Sequence, residues 1–179
     1  MDSKNILHID TVALNEEANA LVIIDQTKLP GTVEILELTK QDDIREAIYL
    51  LKVRGAPAIG VAAAIGVYLA ARDIKTQEYD AFLKEFQAAK EYLASARPTA
   101  VNLFWALNRM EQVVLDNKDQ PVSRIVQLLH DEAVEIREED IRVCKSIGEY
   151  GLSLIKDGDG ILTHCNAGQL ATVRYGTAL

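Results

Sequence analysis

The chain reads as an α/β protein: a small antiparallel β-sheet at the N-terminus, then a helical bundle, then the first strand and helix of a doubly wound unit. Two shifts of periodicity carry this reading. Residues 9–38 hold short β-branched and alternating runs, and from Thr39 to about Asp157 the apolar residues recur at helical spacing. Beyond Asp157 a turn, a short apolar run and a second turn follow, the order that opens a strand–helix unit. The division expected is residues 1–157 for the sheet and bundle and residues 158–179 for the start of a second domain, incomplete in this sequence.

The elements follow in order. Ala20-Leu21-Val22-Ile23-Ile24-Asp25 is an apolar run bounded by polar residues, Leu29-Pro30-Gly31-Thr32 is a turn, and Val33 to Leu38 mixes apolar and charged positions. Thr39-Lys40-Gln41-Asp42 begins a helix whose apolar face is Ile44, Ala47, Ile48 and Leu51. Val53-Arg54-Gly55-Ala56-Pro57 breaks it. Pro57 suits the first turn of the next helix, where a missing N–H costs nothing. Ala58 to Arg72 is apolar on all sides and rich in Ala and Gly, which predicts the buried central helix of the bundle.

Glu78 to Ala94 places Phe82, Phe86, Ala89 and Leu93 on one face, and Ser95-Ala96-Arg97-Pro98-Thr99 interrupts it. Val101 to Leu115 turns Leu103, Leu107, Met110 and Val114 inward. Asn117 to Pro121 is a turn. Ser123 is expected to cap a long helix running to about Asp157, with the stripe Ile125, Leu129, Ala133, Ile136, Val143, Ile147 and Leu154 facing the core. Asp157-Gly158-Asp159-Gly160 is a turn, Ile161 to Cys165 a short buried strand, Asn166 to Gln169 a tight turn, and Leu170 to Leu179 the start of a helix. One strand and one helix cannot bury a parallel sheet, which needs cover on both faces.

Composition narrows the function. Of 179 residues, 49% are hydrophobic and 26% charged, an ordinary globular mixture. Nineteen basic against 27 acidic residues leave a net charge of −8, which disfavours a nucleic-acid partner. A small anion is compatible with it, because a few local donors suffice. Two cysteines cannot build a disulfide framework. Met1 to Ile9 lacks the apolar core of a signal peptide, and Ala56 to Ala71 is shorter than the ~20 residues of a membrane span. A reduced, soluble, cytoplasmic protein with no membrane partner is expected.

Three places carry chemistry. Arg54-Gly55-Ala56-Pro57 sets a fork-shaped cation and a glycine before a helix start, whose unpaired N–H groups favour an anion. By spacing alone this reads better as a plain helix-to-helix turn. Arg97-Pro98-Thr99 sets a second arginine before a second helix start. His164-Cys165-Asn166 puts a thiol at the carboxyl end of the expected strand, where ligands bind in open α/β sheets. His164, its neighbour on a strand, would face away from the site. No Cys or His lies at ligand spacing from Cys165, so no metal is expected. Cys144 reads as buried filler, His8 and His130 as solvent-facing, Phe104 and Trp105 mainly as core with a share in a pocket rim, and Asp131 to Asp140 as a solvated helix face.

In order along the chain, these segments resemble the methylthioribose-1-phosphate isomerases, a family shared with the alpha, beta and delta regulatory subunits of translation initiation factor 2B. The resemblance rests on Ile24-Asp25-Gln26 with Leu29-Pro30, on Val53 to Gly60, on Arg97-Pro98-Thr99-Ala100-Val101-Asn102-Leu103, and on Leu162 to Gly168 with Leu170-Ala171-Thr172 and Tyr175 to Leu179. It implies a Rossmann-like second domain and an aldose–ketose isomerase of methionine salvage, converting 5-methylthioribose 1-phosphate to 5-methylthioribulose 1-phosphate without cofactor or metal. By resemblance Arg54, Gly55, Ala56 and Arg97 hold the substrate phosphate and Cys165 is catalytic. Complete members pair as homodimers. The family's catalytic aspartate lies beyond the residues matched here, so the resemblance implies negligible turnover by these 179 residues alone. Gln169 and Arg174 leave related pentose 1-phosphates open, namely 5-deoxyribose 1-phosphate and ribose 1,5-bisphosphate. A non-enzymatic member like the initiation-factor subunits is the other reading.

Overall fold

The Asn15 side chain folds the N-terminal hairpin: its Oδ1 accepts the N–H groups of Glu17 and Ala18, both at 3.1 Å. Asn19 closes the turn at a φ of 49°, a conformation Asn tolerates. The hairpin joins β1 (Val12–Asn15) to β2 (Ala20–Ile24), and β3 (Ile35–Leu38) adds antiparallel on the other side, from Leu21 opposite Leu38 to Ile24 opposite Ile35. The strand order is β1-β2-β3, the small antiparallel sheet that the sequence predicts. Central β2 buries Ala20, Leu21, Ile23 and Ile24 completely. The computed structural model describes residues 9–178; His8 and Leu179, on which two expectations fall, lie outside the described residues.

Helix α1 (Gln41–Tyr49) ends early. Leu51, expected on its apolar face, takes a left-handed φ of 59° and turns the chain, while the Lys52 N–H donates back to the Ala47 carbonyl at 2.9 Å. Helix α2 (Ala56–Asp73) is buried almost continuously from Ala58 to Leu69 and is the bundle's centre, as expected. Around it pack α1, α3 (Tyr79–Ala94), α4 (Val101–Asp116) and α5 (Val122–Leu152). Its small residues allow this. A Cβ on Gly60 would lie 3.1 Å from the Asn102 carbonyl oxygen, so α2 and α4 meet backbone to backbone near their first turns. Such close contact collects dispersion along the whole α2–α4 seam.

The long helix departs from expectation at both ends. It starts at Val122, behind Pro121, and Ser123 makes no capping bond; proline's fixed φ already presets the first turn. It stops at Leu152, before Asp157. The stripe Ile125, Leu129, Ala133 and Ile136 is buried, but Val143 and Ile147 are about half exposed and Leu154, past the helix end, is more so. No described element lies over that half. Cys144 is buried there, as expected.

The acidic run Asp131 to Asp140 is not simply solvated. Glu132 and Glu139 both bind the Arg109 guanidinium, and Asp140 Oδ2 accepts the Val173 N–H at 2.7 Å. His130, expected to face solvent, is only partly exposed. It sits between Glu16 at 2.8 Å and Asp131 at 3.0 Å, edge-on to the Tyr68 ring at 5.3 Å. Phe104 packs partly into the core, whereas Trp105 is 46% exposed, with Arg109 over its ring.

The C-terminal stretch differs most from expectation. Ile161 to Cys165 forms no strand, and Leu162 is 97% exposed. A strand exists only by pairing, and no described strand lies beside it. Past it there is a single 3-10 turn, Gln169–Ala171, instead of a helix. This segment folds back onto the sheet: the Thr11 N–H donates to the Val173 carbonyl at 3.1 Å, and Gln26 Nε2 to the Leu170 carbonyl at 2.8 Å. Ala171, Thr172 and Val173 are buried by the contact.

Candidate functional site

Helix α2 begins at Gly55, whose φ of 97° and ψ of 136° suit glycine and whose missing side chain leaves the first-turn N–H groups uncapped. The first turn holds no acid. Helix α4 begins at Ala100 in the same way, without a side-chain cap or an acid in its first turn. Each start carries roughly half a positive charge. The close α2–α4 approach at Gly60 brings both starts to one side of the bundle.

Two arginines stand beside these starts. Arg54 is exposed and Arg97 half-buried. Among the described residues neither pairs with a carboxylate, although acids outnumber bases by eight in the chain. Arg97 Nε, like one nitrogen each of Arg72 and Arg137, is buried without a hydrogen-bond partner among the described residues. A buried donor left unmatched is costly, so a hydrogen-bond acceptor placed beside it would stabilise it.

Both arginines line one cavity of about 650 Å³, together with Gly55, Ala56, Pro57, Thr99, Ala100, Val101 and Asn102. Its other wall is the C-terminal stretch: His164, Cys165, Asn166, Ala171 and Thr177. All five site residues expected from the sequence therefore meet here. Cys165 carries an exposed thiol and a left-handed φ of 65°, unusual for a residue with a side chain. His164 lines the cavity too, contrary to expectation. The strand whose alternation would have turned it away does not form.

Sequence reasoning missed Asn102, Thr99, Ala171 and Thr177 as lining groups. Asn102 and Thr99 fall within the motif around Arg97, and their place in the first turn of α4 or just before it was the available signal. Ala171 and Thr177 had none, because they arrive only by fold-back. The loop that carries them is tied by Thr177 N–H to the Ala167 carbonyl at 2.8 Å.

A second open cavity, about 700 Å³, lies between the start of α1, the end of α2 and α3. It sets Asp42, Asp73 and Glu85 against Lys40 alone, the wrong balance for an anion. The cavity at Arg54 and Arg97 has two full positive charges and two helix starts, enough to match a phosphate dianion. It also offers a thiol on its other wall for acid–base chemistry.

The model of the Initiation factor 2 subunit family matches residues 52–176, a range that contains Arg54, Arg97 and Cys165. Methylthioribose-1-phosphate isomerase of Symbiobacterium thermophilum is 56% identical over 171 residues, covering 96% of this chain and 48% of its own length. 5-Deoxyribose 1-phosphate isomerase of Petrotoga mobilis is 53% identical over 168 residues, covering 94% and 48%. Among solved structures, 5-methylthioribose 1-phosphate isomerase from Pyrococcus horikoshii is similar with a TM-score of 0.87 at 41% identity, over 94% of this chain and 46% of that one. The delta subunit of translation initiation factor eIF-2B from A. fulgidus is similar with a TM-score of 0.82 at 40% identity, over 94% and 48%. The chain spans about half the length of the curated relatives it matches.

Proposed function

Since the chain belongs to the Initiation factor 2 subunit family, we propose that it forms the phosphate-holding half of an aldose–ketose isomerase acting on a pentose 1-phosphate. The substrate is 5-methylthioribose 1-phosphate and the product 5-methylthioribulose 1-phosphate, the chemistry named for the Symbiobacterium relative. Arg54, Arg97 and the start of α2 at Gly55 and Ala56 grip the phosphate. The planar guanidiniums supply paired donors, and the helix start supplies N–H groups that need no reorganisation as charge develops. Cys165 stands where the sugar carbons would lie and relays or stabilises charge there. The net change breaks the ring bond between C1 and O4, moves hydrogen from C2 to C1, and turns the C2 hydroxyl into a carbonyl as its proton passes to O4, with no overall oxidation.

The observation that carries this reading is the convergence of two carboxylate-free guanidiniums, two uncapped helix starts and a thiol on one cavity. A binding subunit like the initiation-factor delta chain is the second reading, favoured by that chain's similar fold. A chain that only binds would use the arginines but give the Cys165 thiol on the same cavity no chemical role.

In this reading residues 158–179 open a Rossmann-like half. Ile161 to Cys165 pairs as a strand once neighbouring strands are present, which also covers Leu162. The assembled enzyme is a homodimer.

Two measurements test the proposal. The 179-residue chain should bind ribose 1-phosphate by calorimetry, and failure to bind any phosphate would remove the anion seat. Joined to the second half of the Symbiobacterium relative, it should turn over 5-methylthioribose 1-phosphate, and Cys165→Ser should cut kcat far more than substrate affinity. Binding without turnover in the joined protein would favour the subunit reading.

A further inference from the structure

The run from Asp131 to Asp140 holds six acids, and five of them pair with an arginine or a histidine, as Glu139 does with Arg109. Asp140 alone of the six has no such partner among the described residues. A carboxylate drawn out of water without a cation depends on the donors it can accept from. Burial pushes the Asp140 pKa up, and the Val173 N–H, donating to Oδ2 at 2.7 Å, pulls it back. The Cys144 thiol, 3.9 Å from Oδ1, is a second and weaker donor. Asp140 does not line the anion cavity, but its one strong bond goes to the stretch that forms the far wall of that cavity.

Val173 is fully buried, and both its backbone groups are used: the carbonyl accepts the Thr11 N–H at 3.1 Å and the N–H is given to Asp140. The chain around it is stiffened by its own bonds. Thr172 Oγ1 lies 2.9 Å from the Arg174 carbonyl and accepts the Gly176 N–H at 3.1 Å. The Thr177 N–H closes the loop on the Ala167 carbonyl at 2.8 Å, two residues past Cys165. A displacement of Val173 is therefore passed on to Ala171, against Gly55, and toward Cys165. The other tie to α5 runs from Arg174 through Asp10 to Arg137, and its Arg174 end is about half exposed, so salt screens it. We propose that Asp140 is a positioning residue: its carboxylate anchors the Val173 N–H to α5 and so sets the wall that carries Cys165 and Ala171 at its distance from Arg54 and Arg97. The inference rests on the isomerase reading above for what the wall is positioned to do.

Amide exchange in the 179-residue chain reads the anchor directly. The wild-type Val173 N–H should exchange far more slowly than that of exposed Leu162. Asp140→Ala should speed Val173 about tenfold or more, as expected for a lost hydrogen bond to a charged group, and leave Val67 in the centre of α2 unchanged. Asp140→Asn keeps an acceptor oxygen and should restore the slow rate. In the protein joined to the second half of the Symbiobacterium relative, Asp140→Ala should lower kcat about tenfold with KM and inorganic phosphate affinity within about twofold, and Asp140→Asn should recover the kcat. A carboxylate that served only to hold the bundle together would speed Val67 along with Val173. That result, a wild-type kcat in Asp140→Ala, or an Asp140→Asn variant no better than Asp140→Ala would overturn the positioning role. Should Asp140→Ala fail to fold, a wild-type Val173 that exchanges as fast as Leu162, or an Asp140→Asn variant with fast Val173 exchange, would overturn it equally. A joined wild-type protein without turnover would overturn the isomerase reading, while exchange at Val173 would still decide the anchor.

Discussion

Ala171 occupies the space where a side chain on Gly55 would begin: a Cβ there would be 2.3 Å from the Ala171 Cα and 2.5 Å from its carbonyl oxygen. The glycine that starts α2 and the 3-10 turn near the other end of the chain are thus fitted to each other. The cavity wall made by Ala171 and Thr177 depends on that fit.

Gly55→Ala should therefore do more than strain one residue. A φ of 97° with a side chain costs about 1–3 kcal/mol, and the clash with Ala171 adds to it. Urea unfolding should show at least that loss, and amide exchange at Val173 should speed up as the segment lifts. Unchanged stability with unchanged exchange would mean that the two segments are not in contact.

Replacing either arginine by lysine keeps the charge and loses the planar fork. Arg54→Lys and Arg97→Lys should each weaken inorganic phosphate binding by about 1.5–3 kcal/mol, the range of a hydrogen bond to a charged group. Because no carboxylate partner is released, neither should lower the melting temperature appreciably. Calorimetry that finds wild-type affinity in both variants would place the anion elsewhere.

The two thiols should separate cleanly in alkylation. Cys144 is buried, and burial, together with the nearby Asp140 charge, pushes its thiol up to about 11. Cys165 is exposed at the cavity. Iodoacetamide at pH 8 should label Cys165 alone, as read by peptide mass spectrometry, and bound phosphate ligands should slow it. Equal labelling of Cys144 would contradict its burial.

His130 should make stability depend on pH. Burial lowers its pKa, but the hydrogen bonds to Asp131 and Glu16 outweigh that, and the net direction is up from 6.5. The folded state then holds the proton more tightly than the unfolded one. The resulting stabilisation is complete below pH 6.5 and is lost as pH rises through the higher folded value. Compared with His130→Gln, the wild-type melting temperature should fall over that window. Parallel melting curves for the two proteins across it would show that the imidazolium contributes nothing.

The sequence by itself determined the hairpin sheet, the order of the helices, the buried centre at Ala58 to Leu69, and the residue types of the site. Each of these is written in local periodicity or in a short motif. Arg54, Arg97 and Cys165 could be named from their neighbours along the chain, because a glycine or a proline at a helix start is a local signal.

Only the tertiary structure decided which apolar faces are covered and what the last stretch becomes. The stripe Val143, Ile147 and Leu154 continues Ile125 to Ile136 along the sequence, yet it is about half or more uncovered. Periodicity states which side would be buried, not whether anything is there to bury it. The run Ile161 to Cys165 has a strand's composition without a strand's neighbours, and the segment that carries Ala171 and Thr177 to the cavity is held at its Val173 and Leu170 carbonyls by Thr11 and Gln26 from the opposite end of the chain. Pairing and burial are relations between distant segments, and no window of sequence contains both partners.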